Sequence, residues 1–93
     1  MVHLYQKTST EINNDIAHRM ALLRKRKKIT QRGLAAKSGV SLASLKRFEQ
    51  TGEISLQSFT KLAIALEVEE ELESLFCNVP FESIEEVINE QGK

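Results

Sequence analysis

"TQRGLAAKSGVSLASLKRFEQ", residues 30–50, decides the fold. Thr30 is suited to cap a helix over 31–38, with Leu34 and Ala35 facing inward. Gly39 follows at once, as glycine does where the chain must turn through positive φ. Ser41 then caps a second short helix over 42–50, whose inward residues are Leu45 and Phe48. Ala35 is small enough for the second helix to cross closely over the first. Two short helices separated by a glycine turn read as a helix-turn-helix unit. The second is too short to hold alone. Packing must secure one side of it, and the other side, with Lys46 and Arg47, is left to project.

Working outward, Ile12, Ile16, Met20 and Leu23 recur at helical spacing and predict an amphipathic helix over about 10–27. Thr8 and Glu11 fit a capping box at its start, and the basic run at 24–28 suits its C-terminus. After the central unit, Ser55 reads as the cap of a fourth helix, with Ile54 and Phe59 as a hydrophobic staple. Its apolar stripe is Leu56, Phe59, Leu62, Ala63 and Leu66. Val68, Leu72, Leu75 and Phe76 mark a short fifth helix. Pro80 punctuates the chain. Ser83 with Glu86 then caps a tail segment lined by Phe81, Ile84, Val87 and Ile88. Residues 2–5 form the one stretch with strand character. The expected fold is all-α: five helices plus a short C-terminal tail helix. The expected division is an arm over 1–10, a helical domain over 11–76 and an acidic amphipathic tail over 77–93.

Composition narrows the function. A length of 93 residues with 41% hydrophobic content suits one domain with a modest core. The formal net charge of zero conceals an asymmetry. Residues 1–50 carry eleven Lys and Arg against Glu11, Asp15 and Glu49, whereas residues 51–93 carry Lys61 and Lys93 against ten Glu. A basic half points to a polyanionic partner, although two solvated faces of unlike charge would leave the same pattern. Cys77 is the only cysteine, which excludes an internal disulfide and suits a reducing, cytoplasmic compartment. It reads as a small buried hydrophobe rather than a nucleophile. The N-terminus lacks the pattern of a signal peptide, and no apolar run approaches membrane-spanning length. With one Asp, two His and no metal-ligand spacing or phosphate-cradling loop, the chain does not read as an enzyme. No metal, cofactor or small-molecule ligand is expected.

The residues at 16–66 resemble the Cro/CI-type (XRE family) helix-turn-helix domain of phage repressors and bacterial regulators. The resemblance rests on "LR" at 23–24, "TQ" at 30–31, "LA" at 34–35, "GVS" at 39–41, Leu45 and "FE" at 48–49, all at the family's spacing. It implies a lambda-repressor-like DNA-binding domain that binds double-stranded DNA as a homodimer. The second helix of the unit would lie in the major groove. Carried over residue by residue, Leu42, Ala43 and Arg47 take base-facing positions. Gln31, Arg32, Ser41, Ser44 and Lys46 lie on the DNA-backbone side, with Gln31 also able to brace a recognition residue. Arg24 and Glu49 occupy positions of an interhelical ion pair.

Chemistry differentiates these positions. Leu42 and Ala43 can meet only a thymine methyl, and Leu42 could instead pack inward. Arg47 can grip guanine O6 and N7, or clamp a phosphate. Lys46 suits a phosphate or solvent, and Arg19 and the run at 25–28 suit solvent more than DNA. Two departures from the family pattern stand out. Gly33 replaces the usual acidic capping partner of Thr30, and "EQTGEISLQS" at 49–58 is one residue shorter than the usual loop and lacks its proline. Thr51 and Gly52 are therefore poor candidates for phosphate contacts. The stretch from 44 to 76 is also similar to HipB-type antitoxins found beside HipA-type kinases. Two readings follow: a transcriptional repressor acting alone, or an antitoxin that represses its own operon and binds a toxin protein.

Overall fold

The computed structural model describes residues 6–78. Among them are five helices and no strand: α1 (Ser9–Arg26), α2 (Gln31–Ser38), α3 (Leu42–Thr51), α4 (Leu56–Ala65) and α5 (Glu69–Glu73). The expected strand character at 2–5 and the tail helix with its Ser83–Glu86 cap fall outside the described residues.

Local chemistry sets the boundaries of the first four helices. Thr8 accepts from the Glu11 amide at 3.1 Å, and the Glu11 carboxylate accepts from the Thr8 amide at 2.9 Å, completing the expected capping box. Glu11 is held below the ordinary carboxylate range, first by that backbone hydrogen bond and then by the Thr8 side chain. Thr30, Ser41 and Ser55 each accept from the amide three residues on, at 2.9, 3.1 and 3.1 Å, which starts α2, α3 and α4. Gly33 leaves Thr30 a one-way cap rather than a box.

Helix ends show two solutions. Gly39 and Gly52, each at φ 78°, close α2 and α3 in the left-handed conformation. α1 and α4 end in the same way without glycine. Lys28 (φ 61°) follows α1, where the Lys28 and Ile29 amides return to Lys25 and Arg24 carbonyls at 2.9 and 3.1 Å. Glu67 (φ 63°) follows α4, where the Glu67 and Val68 amides return to Ile64 and Ala63 at 3.0 and 2.9 Å. Both are Schellman pairs that satisfy terminal carbonyls at the expense of a strained side-chain-bearing residue.

One core joins α1 to α4. α1 packs chiefly on α3, α2 on α3 and α4, and α5 on α4. Leu34, Leu45, Phe48, Leu62 and Leu66 are the largest fully buried side chains. Phe48 and Phe59 meet edge to face with ring centroids 5.6 Å apart. Ile54 and Phe59, the expected staple pair, both pack partly buried against the same cluster.

Four expectations need correction. The buried face of α1 is Ala17, Met20, Ala21 and Arg24, and Ile12 is exposed. Of the expected stripe Met20 is buried and Ile16 and Leu23 are half-buried, so Ile12 alone, in the first turn, lies outside the buried face. Leu56 is 74% exposed because it occupies the first position of α4, where the chain is still arriving from the loop. α5 is shorter than expected: Leu75 and Phe76 lie beyond it, and Phe76 turns at φ 57° and is 91% exposed. Cys77 is exposed rather than buried, since it follows that turn away from the core.

Candidate nucleic-acid interface

α3 is amphipathic in the strict sense that its two sides have different jobs. Leu45 and Phe48 are buried and anchor it. Ser41, Ala43, Ser44, Lys46, Arg47 and Gln50 are exposed, and Leu42 is half-buried between the two sides. Ala43, Arg47 and Gln50 fall on one stripe by their spacing of four and three. Gln50 was not among the residues singled out from the sequence, although that spacing places it beside Arg47.

The α2 N-terminus is built differently. Arg24 is buried and spans α1 to α3 through a paired contact: Nε donates to Glu49 Oε2 at 2.8 Å and Nη2 to Glu49 Oε1 at 3.0 Å. The two side chains are only 8% and 9% exposed. Nη1 donates to the Ile29 carbonyl at 2.9 Å, and Gln31 Nε2 donates to Glu49 Oε1 at 2.8 Å. Each of the three guanidinium nitrogens thus has an acceptor, as burial of a charge requires. No buried side-chain nitrogen or oxygen lacks a partner among the described residues. Gln31 is thereby turned toward the ion pair. It braces Glu49 of the ion pair rather than a base-facing residue, and its second Nε2 N–H, its amide oxygen and its backbone remain for other contacts.

Arg32, Ser41, Ser44 and Lys46 all lie exposed around α2 and α3. Ser41 and Ser44 are coupled, with the Ser41 hydroxyl donating to the Ser44 hydroxyl at 2.9 Å. The shortened loop after α3 is drawn inward. Gly52 is buried, and a Cβ there would lie 2.8 Å from the Asn13 carbonyl carbon. The Thr51 hydroxyl donates to the Arg47 carbonyl at 2.8 Å and accepts from the Glu53 amide at 3.1 Å. Gly52 is thus enclosed, and Thr51, though exposed, has its hydroxyl engaged within the loop.

That inward loop brings Glu53 to Arg47. Arg47 Nη2 donates to Glu53 Oε1, in a pair whose side chains are 68% and 64% exposed. Ser44, Arg47, Glu53, Ile54, Ser55 and Ser58 line an open cleft between α3 and the start of α4. Glu53 was missed in the sequence because the pair crosses a helix end, outside the three- and four-residue spacings of a helix surface. The acidic residues of α5, Glu69, Glu70, Glu71 and Glu73, belong to a helix that packs chiefly on α4. Three of them sit in its first turn, where the helix dipole favours negative charge.

The basic, projecting face of α3 can meet a polyanion, and the side chains on it can hydrogen-bond or make apolar contacts with base edges. Among the described residues no group of His, Cys, Asp and Glu is placed to hold a metal, and no helix is long and apolar enough to cross a membrane. A helix-turn-helix family model matches residues 20–72, from the middle of α1 through Leu72 of α5. Comparison with curated proteins gives no match.

Proposed function

Because the chain belongs to this helix-turn-helix family, of XRE type, whose members are DNA-binding transcription regulators, we propose that it is a sequence-specific repressor that binds its operator as a homodimer. α3 enters the major groove. Arg47 reads a guanine, Ala43 and Leu42 contact thymine methyls, and Gln31, Arg32, Ser41, Ser44 and Lys46 hold the phosphates on either side. The observation that carries this reading is the division of α3: Leu45 and Phe48 fix it to the core while the side bearing Arg47 faces outward. The unit that reads DNA is the domain at 11–76. Residues 77–93 supply self-association, through the apolar positions Phe81, Ile84, Val87 and Ile88.

Selection of bound sites from random duplex DNA tests the reading. The expected product is a two-fold motif with half-sites about one helical turn apart. Arg47→Ala then loses preference at one guanine in each half-site. Lys46→Ala weakens all sequences evenly and flattens the salt dependence by about one phosphate contact. Failure to enrich any motif rules out sequence-specific repression. Sedimentation of a chain lacking residues 79–93 tests the tail: an unchanged dimer removes its self-association role.

A second reading, the HipB-type antitoxin that represses its own operon and binds a toxin kinase, is favoured by one observation. Leu75 and Phe76 are exposed beside the acidic α5, an apolar surface suited to a protein partner. A stable complex with the product of a neighbouring kinase-like gene, lost in Phe76→Ser, supports that role. Operator binding with no such complex favours the repressor acting alone.

A further inference from the structure

An arginine on a recognition helix can serve two chemistries, a guanine edge or a phosphate, and both offer paired acceptors. The two differ in charge. Phosphate is an anion, and a guanine edge is neutral. A negative charge beside the guanidinium therefore disfavours the first far more than the second.

Glu53 is such a charge. Its carboxylate accepts from Arg47 Nη2, and its backbone is tied to the same residue by a second route, through the Thr51 hydroxyl to the Arg47 carbonyl. Gly52, packed against the α1 backbone, fixes the loop that carries it. Only one Arg47 nitrogen is engaged. A guanidinium has several further N–H donors in a fixed fork, so Arg47 can keep Glu53 and still present a pair of donors outward. Holding one edge of the fork also lowers the rotamer entropy lost on contact with a base.

We propose that Glu53 is the positioning and specificity-determining partner of Arg47: it orients the guanidinium toward a neutral guanine edge and withholds it from phosphate. The proposal rests on the operator reading above. Arg47 contributes little to non-specific binding in the parent protein, and most of its contribution appears at one base pair of the half-site.

The test compares parent, Glu53→Gln and Glu53→Ser, each verified as folded by its thermal melt. Binding is measured to the selected operator, to operators altered at single positions and to unrelated duplex DNA, over a range of salt. In both variants non-specific affinity should rise about 2–5-fold, the range of an exposed ion pair. The salt slope should steepen by about 0.9, one additional phosphate. Discrimination for guanine at the Arg47 position should fall by a similar ~2–5-fold, with the other positions unchanged. In an Arg47→Ala background, Glu53→Gln should leave every base preference as it was. A uniform loss of affinity, or unaltered guanine preference and salt slope, overturns the assignment. A parent protein that enriches no sequence overturns the operator reading along with it. A parent that does, with variants indistinguishable from it, overturns the role of Glu53 alone.

Discussion

Gly39 and Gly52 have the same backbone conformation, φ 78°, and end successive helices, yet their surroundings differ completely. A Cβ at Gly39 would meet nothing within 4 Å. A Cβ at Gly52 would lie 2.8 Å from Asn13 C and 2.9 Å from Asn13 O and Asn14 N. These are backbone atoms inside α1, unable to swing aside as a side chain would. Gly39→Ala therefore reports conformational strain alone. The left-handed conformation costs an L-residue about 1–2 kcal/mol, partly offset by the ~0.4–1 kcal/mol that alanine saves in unfolded-chain entropy. The net loss is about 0–1.6 kcal/mol. Gly52→Ala carries that strain plus the displacement of α1 from α3, comparable to overpacking a core at about 1–3 kcal/mol. Its total loss should be about 1–4.6 kcal/mol, and about 1–3 kcal/mol greater than that of Gly39→Ala. For a domain of this size each 1 kcal/mol lowers Tm by about 4–8 °C. Urea and thermal unfolding of both variants, followed by helical circular dichroism, give the comparison. Equal losses would refute the claim that close approach to α1, rather than φ alone, makes glycine necessary at position 52.

Three further outcomes follow from the geometry. Arg24→Met leaves the Glu49 carboxylate buried without its cation and should cost about 3–5 kcal/mol, most of it recovered on adding Glu49→Leu; a single variant with the parent's denaturant midpoint would show the pair to be energetically idle. Lys28→Gly and Glu67→Gly should each raise stability by up to about 1 kcal/mol, because both relieve a left-handed side-chain-bearing residue at a Schellman turn; lower melting temperatures would mean that these side chains make contacts outweighing the strain. Glu11 and Asp15 are held below the ordinary carboxylate range, the first by the Thr8 backbone and side chain and the second by its hydrogen bond from Lys7. Their folded-state pKa values are depressed, so their contribution is complete above the unfolded carboxylate range and disappears as pH falls through the lowered values. Glu11→Gln should accordingly show a smaller loss of stability on acidification than the parent, measured as unfolding midpoint against pH.

What the sequence determined by itself was local. Caps at Thr8, Thr30, Ser41 and Ser55 and the glycine stop at Gly39 are decided by hydrogen bonds within four residues, so the first four helices were legible to within about a residue. The inward choice of Leu45 and Phe48 followed from helical period, and the Arg24–Glu49 pair from the family's spacing. Tertiary structure decided what depends on which surfaces meet. Large apolar residues at Ile12 and Leu56 suggested burial, but both sit in the first turn of their helices and are exposed, while the buried face of α1 includes Ala17 and Ala21 beside Met20, small residues that a search for large ones passes over. Lys28 and Glu67 take the left-handed turns because the residues after them, Ile29 and Val68, return their amides to helix carbonyls and pack their side chains against the core. The same holds at the candidate site. Arg47 was visible as a cation on a helix face, but its carboxylate partner depends on how a shortened loop folds back over Gly52. That path is set by the fit of a glycine against the backbone of α1, forty residues away in the chain and adjacent in space.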